Sequence, residues 1–326
     1  MPARLLLLVL CCGLCLGPVR AWADDRDLII ATATMDGTFH PVGVGLGALI
    51  SVKLAGGLGV SARAMSSAGS AENLRLLREG RADLALLQGL YGQQAYNGEG
   101  PYQGAPFQDF RAVTMLWENV EHFVLLSRFA ATGTIADLGG LRGHFAIGKR
   151  ESGSEGSGRA ILEALGLDTS GLTMEHLGYV PAVQAMLDNR LAGANTPAGP
   201  PIPAIGMLLG QLGPEGVRIL EFTDAQLATL RTRYPIWNRY VIPAGTYPGQ
   251  DADVRTVAQP NFLACRASLP EDVVYAVTRA IFENLHMLHE IHAATRAMAP
   301  ERAAVGLPVP LHPGAERYLR EIGAIP

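Results

Sequence analysis

The sequence predicts an α/β protein whose sheets are mostly parallel, and its length predicts two lobes. An apolar strand at 28–33 is followed by a polar loop and by a helix that runs to about residue 54, and further strands are predicted at 60–65 and 82–87. Alternation of strand, loop and helix implies crossover connections and parallel strands. A chain of roughly 300 residues usually divides its core between two domains.

The order of the strands predicts where the chain passes between the lobes. A strand at about 120–127 looks as if it leaves the first sheet, and an apolar strand at 255–267 looks as if it returns to it. We therefore expect residues 24–117 to begin the first lobe and residues 118–254 to form the second. Residues 255–326, with a long helix and a tail, are expected to complete the first lobe.

The first 23 residues have the pattern of a secretory signal peptide. Arg4 is the charge of the n-region, and residues 5–16 form an apolar h-region that is too short to span a bilayer. Residues 21–23, Ala-Trp-Ala, have small side chains at the positions that a signal peptidase reads. We expect cleavage between Ala23 and Asp24 and a periplasmic protein. A lipoprotein anchor is the alternative, since three cysteines lie in this segment, but none has the residues of a lipobox before it.

The charge and composition of the remaining chain argue against several classes of partner and chemistry. Without the signal peptide there are 24 basic and 30 acidic residues, which disfavours nucleic acid and anionic membranes as partners. One cysteine, Cys265, remains, so no intramolecular disulfide is possible. We expect no transmembrane helix after residue 23. No nucleophile–base pair or metal set is evident, so we expect no enzyme activity, no metal and no cofactor.

The stretch at 66–88 predicts an anion site. It reads as a small polar loop, a short helix with Ser70 as its N-cap and Gly80 at its left-handed end, and a buried strand. Unpaired amides and the helix dipole at such an N-terminus favour an anion, although an ordinary capped turn is the alternative. Similar small-residue loops precede helices at 34–40 and at 149–158, so three such N-termini are predicted.

Other candidates lie at predicted strand ends and lobe connections. Tyr91 follows the strand that ends at Gln88, and Asn195 lies near the end of a strand at 192–196; ligands of open α/β sheets bind at such ends. Half-buried packing is the alternative for Tyr91. Trp117 and Trp237 flank the predicted connections between lobes, where they would form a cleft wall or pack at the hinge.

Three motifs resemble those of a known family. They are Gly-Ser-Ala-Glu-Asn-Leu at 69–74, Ile-Pro-Ala-Gly-Thr-Tyr at 242–247 and Leu-Pro-Val-Pro-Leu-His-Pro-Gly-Ala at 307–315. With them the chain resembles the TAXI-type solute receptors of TRAP (tripartite ATP-independent periplasmic) transporters. The resemblance implies a type II periplasmic-binding-protein fold, in which two lobes joined by crossing strands close on a small solute. It also implies a monomer that delivers this solute to a TRAP-type membrane permease, without catalysis.

The family's loop patterns are partly kept. The first loop of the family usually reads Gly or Ser, then Thr-Gly-Gly-Thr-Tyr-Tyr-Pro; Met35 and Asp36 depart from it here. The loop of the second lobe usually reads Gly-Ser-Gly-Thr-Glu, and Glu151 replaces its first glycine. If Asp36 and Glu151 line the cleft, they favour a zwitterionic or cationic solute over a dicarboxylate. The alternative is that both point to solvent at the rim.

The resemblance implies glutamate-like amino acids or dicarboxylates as ligands. Helix amides and the hydroxyls of Thr38, Ser70, Ser152 and Ser154 would hold a carboxylate, and Asn73 and Gln88 would orient an amine or amide. A sensory receptor that signals to a membrane sensor is the alternative role. The full set of predicted ligand-binding residues is Thr34, Asp36, Gly37, Thr38, Phe39, Gly69, Ser70, Asn73, Gln88, Tyr91, Glu151, Ser152, Gly153, Ser154, Asn195 and Trp237.

Overall fold

A computed structural model describes residues 25–326, so the predicted signal peptide and its cleavage site lie outside the described residues. The described chain contains two mixed sheets flanked by helices. Its strands are β1 (Arg26–Ala31), β2 (Val60–Met65), β3 (Leu84–Gln88), β4 (Phe110–Val120), β5 (Phe123–Leu126), β6 (Gly143–Ala146), β7 (Leu172–Glu175), β8 (Gly193–Asn195), β9 (Val217–Ile219), β10 (Asn238–Ile242) and β11 (Val254–Arg266). Its helices are α1 (Phe39–Leu58), α2 (Ser70–Arg78), α3 (Gly89–Asn97), α4 (Gly153–Ala164), α5 (Tyr179–Leu187), α6 (Pro203–Gly216), α7 (Asp224–Arg233), α8 (Glu271–Glu283), α9 (Leu285–His289) and α10 (Pro313–Glu321).

The first sheet has six strands. β1 lies between β2 and β3 and is parallel to both, as the strand–loop–helix pattern predicts. β11 runs antiparallel to β3, which confirms the predicted return of this strand to the first sheet. β11 also pairs with β10 and β4, and its register places Asn261 beside Gln88 of β3 and Trp117 of β4.

The second sheet has five strands in the order β7-β6-β8-β5-β9. β6 is parallel to β7 and β8, and β5 is antiparallel to β8 and β9. The carboxyl ends of β6 and β8 therefore lie at the same edge, where the loop before α4 begins. Helices α4, α5 and α6 cover this sheet with buried apolar side chains such as Ile161, Val183 and Leu208.

Long strands connect the two sheets. β4 extends to Val120, and the chain enters β5 after two more residues. Between them, the amide of Glu121 donates to the carbonyl of Val257 at 2.9 Å. β10 lies inside the range 118–254 but pairs with β11 in the first sheet. We retain 24–117, 118–254 and 255–326 as the proposed lobe ranges, with β10 as the part of the middle range that joins the first sheet.

Helix α1 differs from the sequence expectation in one respect. It is long and apolar enough to cross a membrane by length and composition, whereas no such segment was expected after residue 23. Its buried residues Val42, Leu46 and Leu49 lie in the first hydrophobic core, and α1 packs against β2 and α8. A β-carbon on Gly47 would lie 3.0 Å from the Ala62 carbonyl oxygen, so this glycine permits the close approach of α1 to the sheet.

Candidate ligand-binding site

A pocket lies between the two sheets. The cavity volume that is open to water is about 50 Å³, enough for a few water molecules. The pocket therefore suits a small solute. Strands of the first sheet and loops and helices that flank both sheets line it. Ten of the sixteen predicted site residues are among them: Thr34, Gly37, Thr38, Phe39, Gly69, Ser70, Gln88, Ser152, Gly153 and Ser154.

Four helices begin at this pocket. The residues that precede α1, α2, α4 and α5, namely Thr38, Gly69, Ser152 and Gly178, all line it. Amides in the first turn of a helix have no acceptor within the helix, and the helix dipole makes this end positive. The sequence predicted the first three of these N-termini. The N-terminus of α5 was not predicted as part of the site, because Leu177-Gly178-Tyr179 has none of the small polar residues that marked the other loops.

The helices of the two lobes touch around the pocket. Gly69 has φ +134°, which favours glycine, and a β-carbon on it would lie 3.2 Å from the Gly153 nitrogen. A β-carbon on Gly153 would lie 2.5 Å from the Gln88 side chain. Both glycines therefore permit an approach between the lobes that a larger residue would prevent.

Lys149 gives the pocket its charge. Within residues 25–326 it is the single charged residue that lines the pocket, and no carboxylate does. Lys149 is exposed and lies in the loop that follows β6. Lys149 was not among the predicted site residues, although its position just after a strand is one where ligand-binding residues of α/β sheets lie. A cation and four helix N-termini together favour an anionic ligand.

The expected role of Ser70 as an N-cap is wrong. Ser70 is the first residue of α2, Gly69 is its N-cap, and the Ser70 hydroxyl accepts a hydrogen bond from the Gln88 amide at 3.1 Å. This bond ties the start of α2 to the end of β3. The proton of the hydroxyl stays available for the pocket.

The serines before and in α4 are held differently. Ser152 caps α4, because its hydroxyl accepts from the Glu155 amide at 3.1 Å and donates to the Lys149 carbonyl at 2.6 Å. The hydroxyl of Tyr179 donates to the Pro197 carbonyl at 2.5 Å, so in its 3.0 Å contact with Ser154 it accepts. Burial raises the pKa of Tyr179, which keeps this hydroxyl neutral.

The crossing strands supply the floor of the pocket. Trp117 and Asn119 of β4 and Asn261 of β11 line it, and all three are almost fully buried. The rings of Phe39 and Trp117 meet edge to face with centroids 6.1 Å apart. Trp117 was predicted either to form a wall of the cleft or to pack at the hinge, and neither asparagine was predicted.

Two predicted amide ligands do not line the pocket. Asn73 lies on the buried face of α2. Its side-chain nitrogen donates to the carbonyls of Thr32 and Leu86 at 2.7 and 2.8 Å, and its side-chain oxygen accepts from the Ser67 hydroxyl. All its polar atoms thus hold the loop and the sheet. Asn195 lies behind α4 and donates to the Ser154 carbonyl at 3.2 Å, so it supports the site from outside.

Two predicted aromatic ligands are also placed elsewhere. Tyr91 is buried between α3 and α4, so close to Gly156 that a β-carbon there would lie 2.2 Å from its hydroxyl, and burial raises its pKa. Trp237 has no exposed surface and packs in the core of the second lobe with Val257 and Phe222. The packing alternatives therefore hold for both.

Asp36 and Glu151 lie at the rim and contact the opposite lobe. Asp36 accepts a hydrogen bond from the Val180 amide at 3.2 Å, at the start of α5. Glu151 forms an ion pair with Arg75 of α2 at 3.3 Å. Neither residue lines the pocket, so both lie at the rim, but they bond to the opposite lobe instead of pointing to solvent.

Two titratable groups are buried where the chain crosses between the lobes. Burial raises the pKa of Glu121 to about 8, although Ser157, Asn195 and Gln259 lie close enough to offset part of this effect. Burial lowers the pKa of His122 to about 4. Both side chains are therefore neutral near pH 6, as a low-dielectric interior requires.

Solved structures share this architecture. MatC of Rhodopseudomonas palustris with bound malate matches with a TM-score of 0.54 and 17% identity over 94% of this chain and 98% of that chain. PhnD1 of Prochlorococcus marinus (MIT 9301) in complex with methylphosphonate matches with a TM-score of 0.54 and 13% identity over 93% and 100% of the two chains. A Xanthomonas citri protein bound to ATP matches with a TM-score of 0.51 and 12% identity over 91% and 96%.

These likenesses show a two-lobed periplasmic-binding-protein-like fold, in agreement with the predicted fold class. The sequence itself matches a family model over residues 30–323, nearly the whole described chain. The chain belongs to the NMT1-like family.

Proposed function

We propose that this protein is an extracytoplasmic receptor that binds one small anionic solute, a carboxylate or an amino acid, between its two lobes. One observation carries the proposal: four helix N-termini and Lys149 meet in a pocket that no carboxylate lines within residues 25–326. Such a pocket supplies hydrogen-bond donors and positive potential, which an anion satisfies and a cation does not.

The binding mechanism follows from these groups. First-turn amides of α2 and α4, together with the hydroxyls of Ser70 and Thr38, hold the oxygens of the anion. Lys149 adds a charge at the edge of the pocket. Phe39 and Trp117 pack against the carbon skeleton. Closure of the lobes excludes water, which strengthens each of these hydrogen bonds.

The role in transport rests on the sequence motifs. The motifs at 69–74, 242–247 and 307–315 resemble TAXI-type receptors, whose partners are TRAP-type permeases. The predicted signal peptide supports a periplasmic location. Malate and methylphosphonate, which MatC and PhnD1 bind, belong to the chemical class that we propose. No His, Cys, Asp or Glu among the described residues lines the pocket, so the proposed role is binding rather than catalysis.

A thermal-shift screen of residues 24–326 tests this function. The panel contains dicarboxylates, amino acids, keto acids and small amines. A ligand at 100 times its Kd stabilises the folded state by about 2.7 kcal/mol, which corresponds to several degrees in Tm. We expect anions to raise Tm and amines of the same carbon skeleton to leave it unchanged. A shift with amines alone would overturn the proposal.

A further inference from the structure

Two buried asparagines on the floor of the pocket have polar atoms without a partner. Asn119 is 1% exposed and Asn261 is 0% exposed, and both line the pocket. The Asn261 amide nitrogen donates weakly to the Asn119 oxygen at 3.4 Å. Within residues 25–326, the other atoms of the pair, Asn119 Nδ2 and Asn261 Oδ1, have no hydrogen-bond partner. A buried donor and acceptor left unpaired destabilise the protein, so this pair is suited to a ligand that pairs both.

The asparagine pair leaves one donor and one acceptor unpaired whichever way its two side-chain amides are oriented. Each asparagine side chain carries one acceptor oxygen and one donor nitrogen. Turning both amides by half a turn keeps the hydrogen bond between Asn119 and Asn261 and exchanges the two free atoms. One donor and one acceptor still remain.

The matching ligand group must therefore accept one hydrogen bond and donate another. A carboxylate only accepts, so it leaves the acceptor unpaired and places negative charge against it. An ammonium group only donates, and a methyl group does neither. A carboxamide or a hydroxyl does both.

Resting on the proposed function, we propose that Asn119 and Asn261 select a solute that carries a neutral carboxamide or hydroxyl in addition to its anionic group. The anion lies at the helix N-termini and Lys149, and the neutral group lies on the asparagine pair. The preferred solute is then a monoanion such as an ω-amido or ω-hydroxy carboxylate rather than a dicarboxylate.

Two matched ligand series test this selection by calorimetric titration of residues 24–326. The four-carbon series is succinamate, 4-hydroxybutyrate, succinate and butyrate, and the five-carbon series is glutaramate, 5-hydroxyvalerate, glutarate and valerate. We expect an amide or hydroxyl member of one series to bind at least about tenfold more tightly than its dicarboxylate and its methyl-ended counterpart, because a buried unpaired polar group is costly.

Variants assign the preference to the asparagines. Asn261→Leu should abolish the preference, so that the amide and hydroxyl members bind no more tightly than butyrate or valerate does to the same variant. Asn97→Leu, at an exposed position on α3, is the matched control and should retain the preference. Asn119→Leu makes the same test from β4, and circular dichroism confirms that each variant is folded. The comparison of ligands on the wild-type chain tests the selection even if a variant does not fold.

The outcomes separate this inference from the proposed function. A dicarboxylate that binds as tightly as the amide and hydroxyl members overturns the selection by the asparagines and leaves the anion receptor standing. A preference that survives in both Asn261→Leu and Asn119→Leu also overturns it. If none of the eight carboxylates binds, this inference is overturned, whereas the anion receptor itself is contradicted only if no anion of the thermal-shift panel binds.

Discussion

Arg75 of α2 and Glu151 of the loop before α4 form an ion pair between elements of the two lobes, with Nη2 3.3 Å from Oε2. The carbonyl of Glu151 also accepts a hydrogen bond from the Glu72 amide at 3.3 Å. Asp36 and the Val180 amide make a second contact across the pocket rim. The two acidic residues that depart from the family's loop patterns thus hold the lobes together.

Loss of this ion pair should weaken binding without changing ligand preference. Because both side chains are about half exposed, solvent screens the pair and its contribution is small. We expect Glu151→Ala to raise Kd by up to about fivefold for every solute that binds, since it destabilises only the closed form. Arg75→Met should have the same effect, and the double variant should be no worse. A changed ranking of anions and amines in Glu151→Ala would show instead that Glu151 faces the ligand.

The backbone at residue 151 allows a separate test of stability. Glu151 has φ +62°, a left-handed conformation that costs a non-glycine residue about 1 kcal/mol. Glu151→Gly and Glu151→Ala both remove the ion pair, but only glycine relieves this cost. Urea unfolding should give Glu151→Gly a free energy of unfolding about 1 kcal/mol above that of Glu151→Ala. Equal values would show that the left-handed backbone is not strained.

Addition of one methyl group at Gly153 should block closure. Its β-carbon would lie 2.5 Å from the buried Gln88 side chain of the opposite lobe. Overpacking of this kind costs about 1–3 kcal/mol, so Kd should rise about 5- to 150-fold. The matched control is Gly210→Ala in α6, where the added β-carbon would have no atom of the described chain within 4 Å apart from the adjacent residues and the backbone of α6, and its Kd should not change. Calorimetry with the best anion of the thermal-shift panel measures both, and an unchanged Kd for Gly153→Ala would contradict the close approach of the lobes.

Two buried groups predict how stability depends on pH. The pKa of Glu121 is about 8 in the folded chain against an ordinary 4.5, so the stability that its neutral form contributes is lost as pH rises from about 4.5 to 8. The pKa of His122 is about 4 against 6.5, so its contribution is lost as pH falls from about 6.5 to 4. The two effects oppose each other between about 4.5 and 6.5.

From these two groups we expect a plateau in the free energy of unfolding between about pH 4.5 and 6.5 and a fall of up to about 1.4 kcal/mol per pH unit from pH 6.5 to pH 8. Glu121→Gln should remove most of this decrease in the free energy of unfolding, whereas the exposed control Glu290→Gln should show the same decrease as the wild type. Urea unfolding at pH 6.5, 7.2 and 8.0 measures the slope. The same slope in wild type and Glu121→Gln would contradict a buried, neutral Glu121.

The sequence predicted those parts of the molecule that local patterns determine. Strand β2 has the predicted bounds, because alternating apolar residues mark it clearly. Three of the four helix N-termini at the pocket were found for the same reason, since small polar residues precede them. These features depend on neighbours in the sequence.

The parts that were missed depend on contacts between distant segments. Asn119 and Asn261 lie in apolar strands, and only the register of β4 and β11 brings them together. Asn73 looks like a ligand-facing amide in the sequence, but the carbonyls of Thr32 and Leu86 and the hydroxyl of Ser67 engage it fully. Trp237 is buried because the second lobe closes over it. Such packing has no local signature.

The most direct test of anion binding in this pocket is a calorimetric comparison of Lys149→Gln with Arg150→Gln, using the best anion of the thermal-shift panel as the ligand. Lys149 lines the pocket, and its exposed neighbour Arg150 does not. We expect Lys149→Gln to raise Kd about fivefold, which corresponds to about 1 kcal/mol of binding free energy, and Arg150→Gln to leave Kd unchanged. The difference between the two variants should shrink at high salt. Equal affinities in the two variants, or tighter anion binding by Lys149→Gln, would contradict an anion held in this cleft.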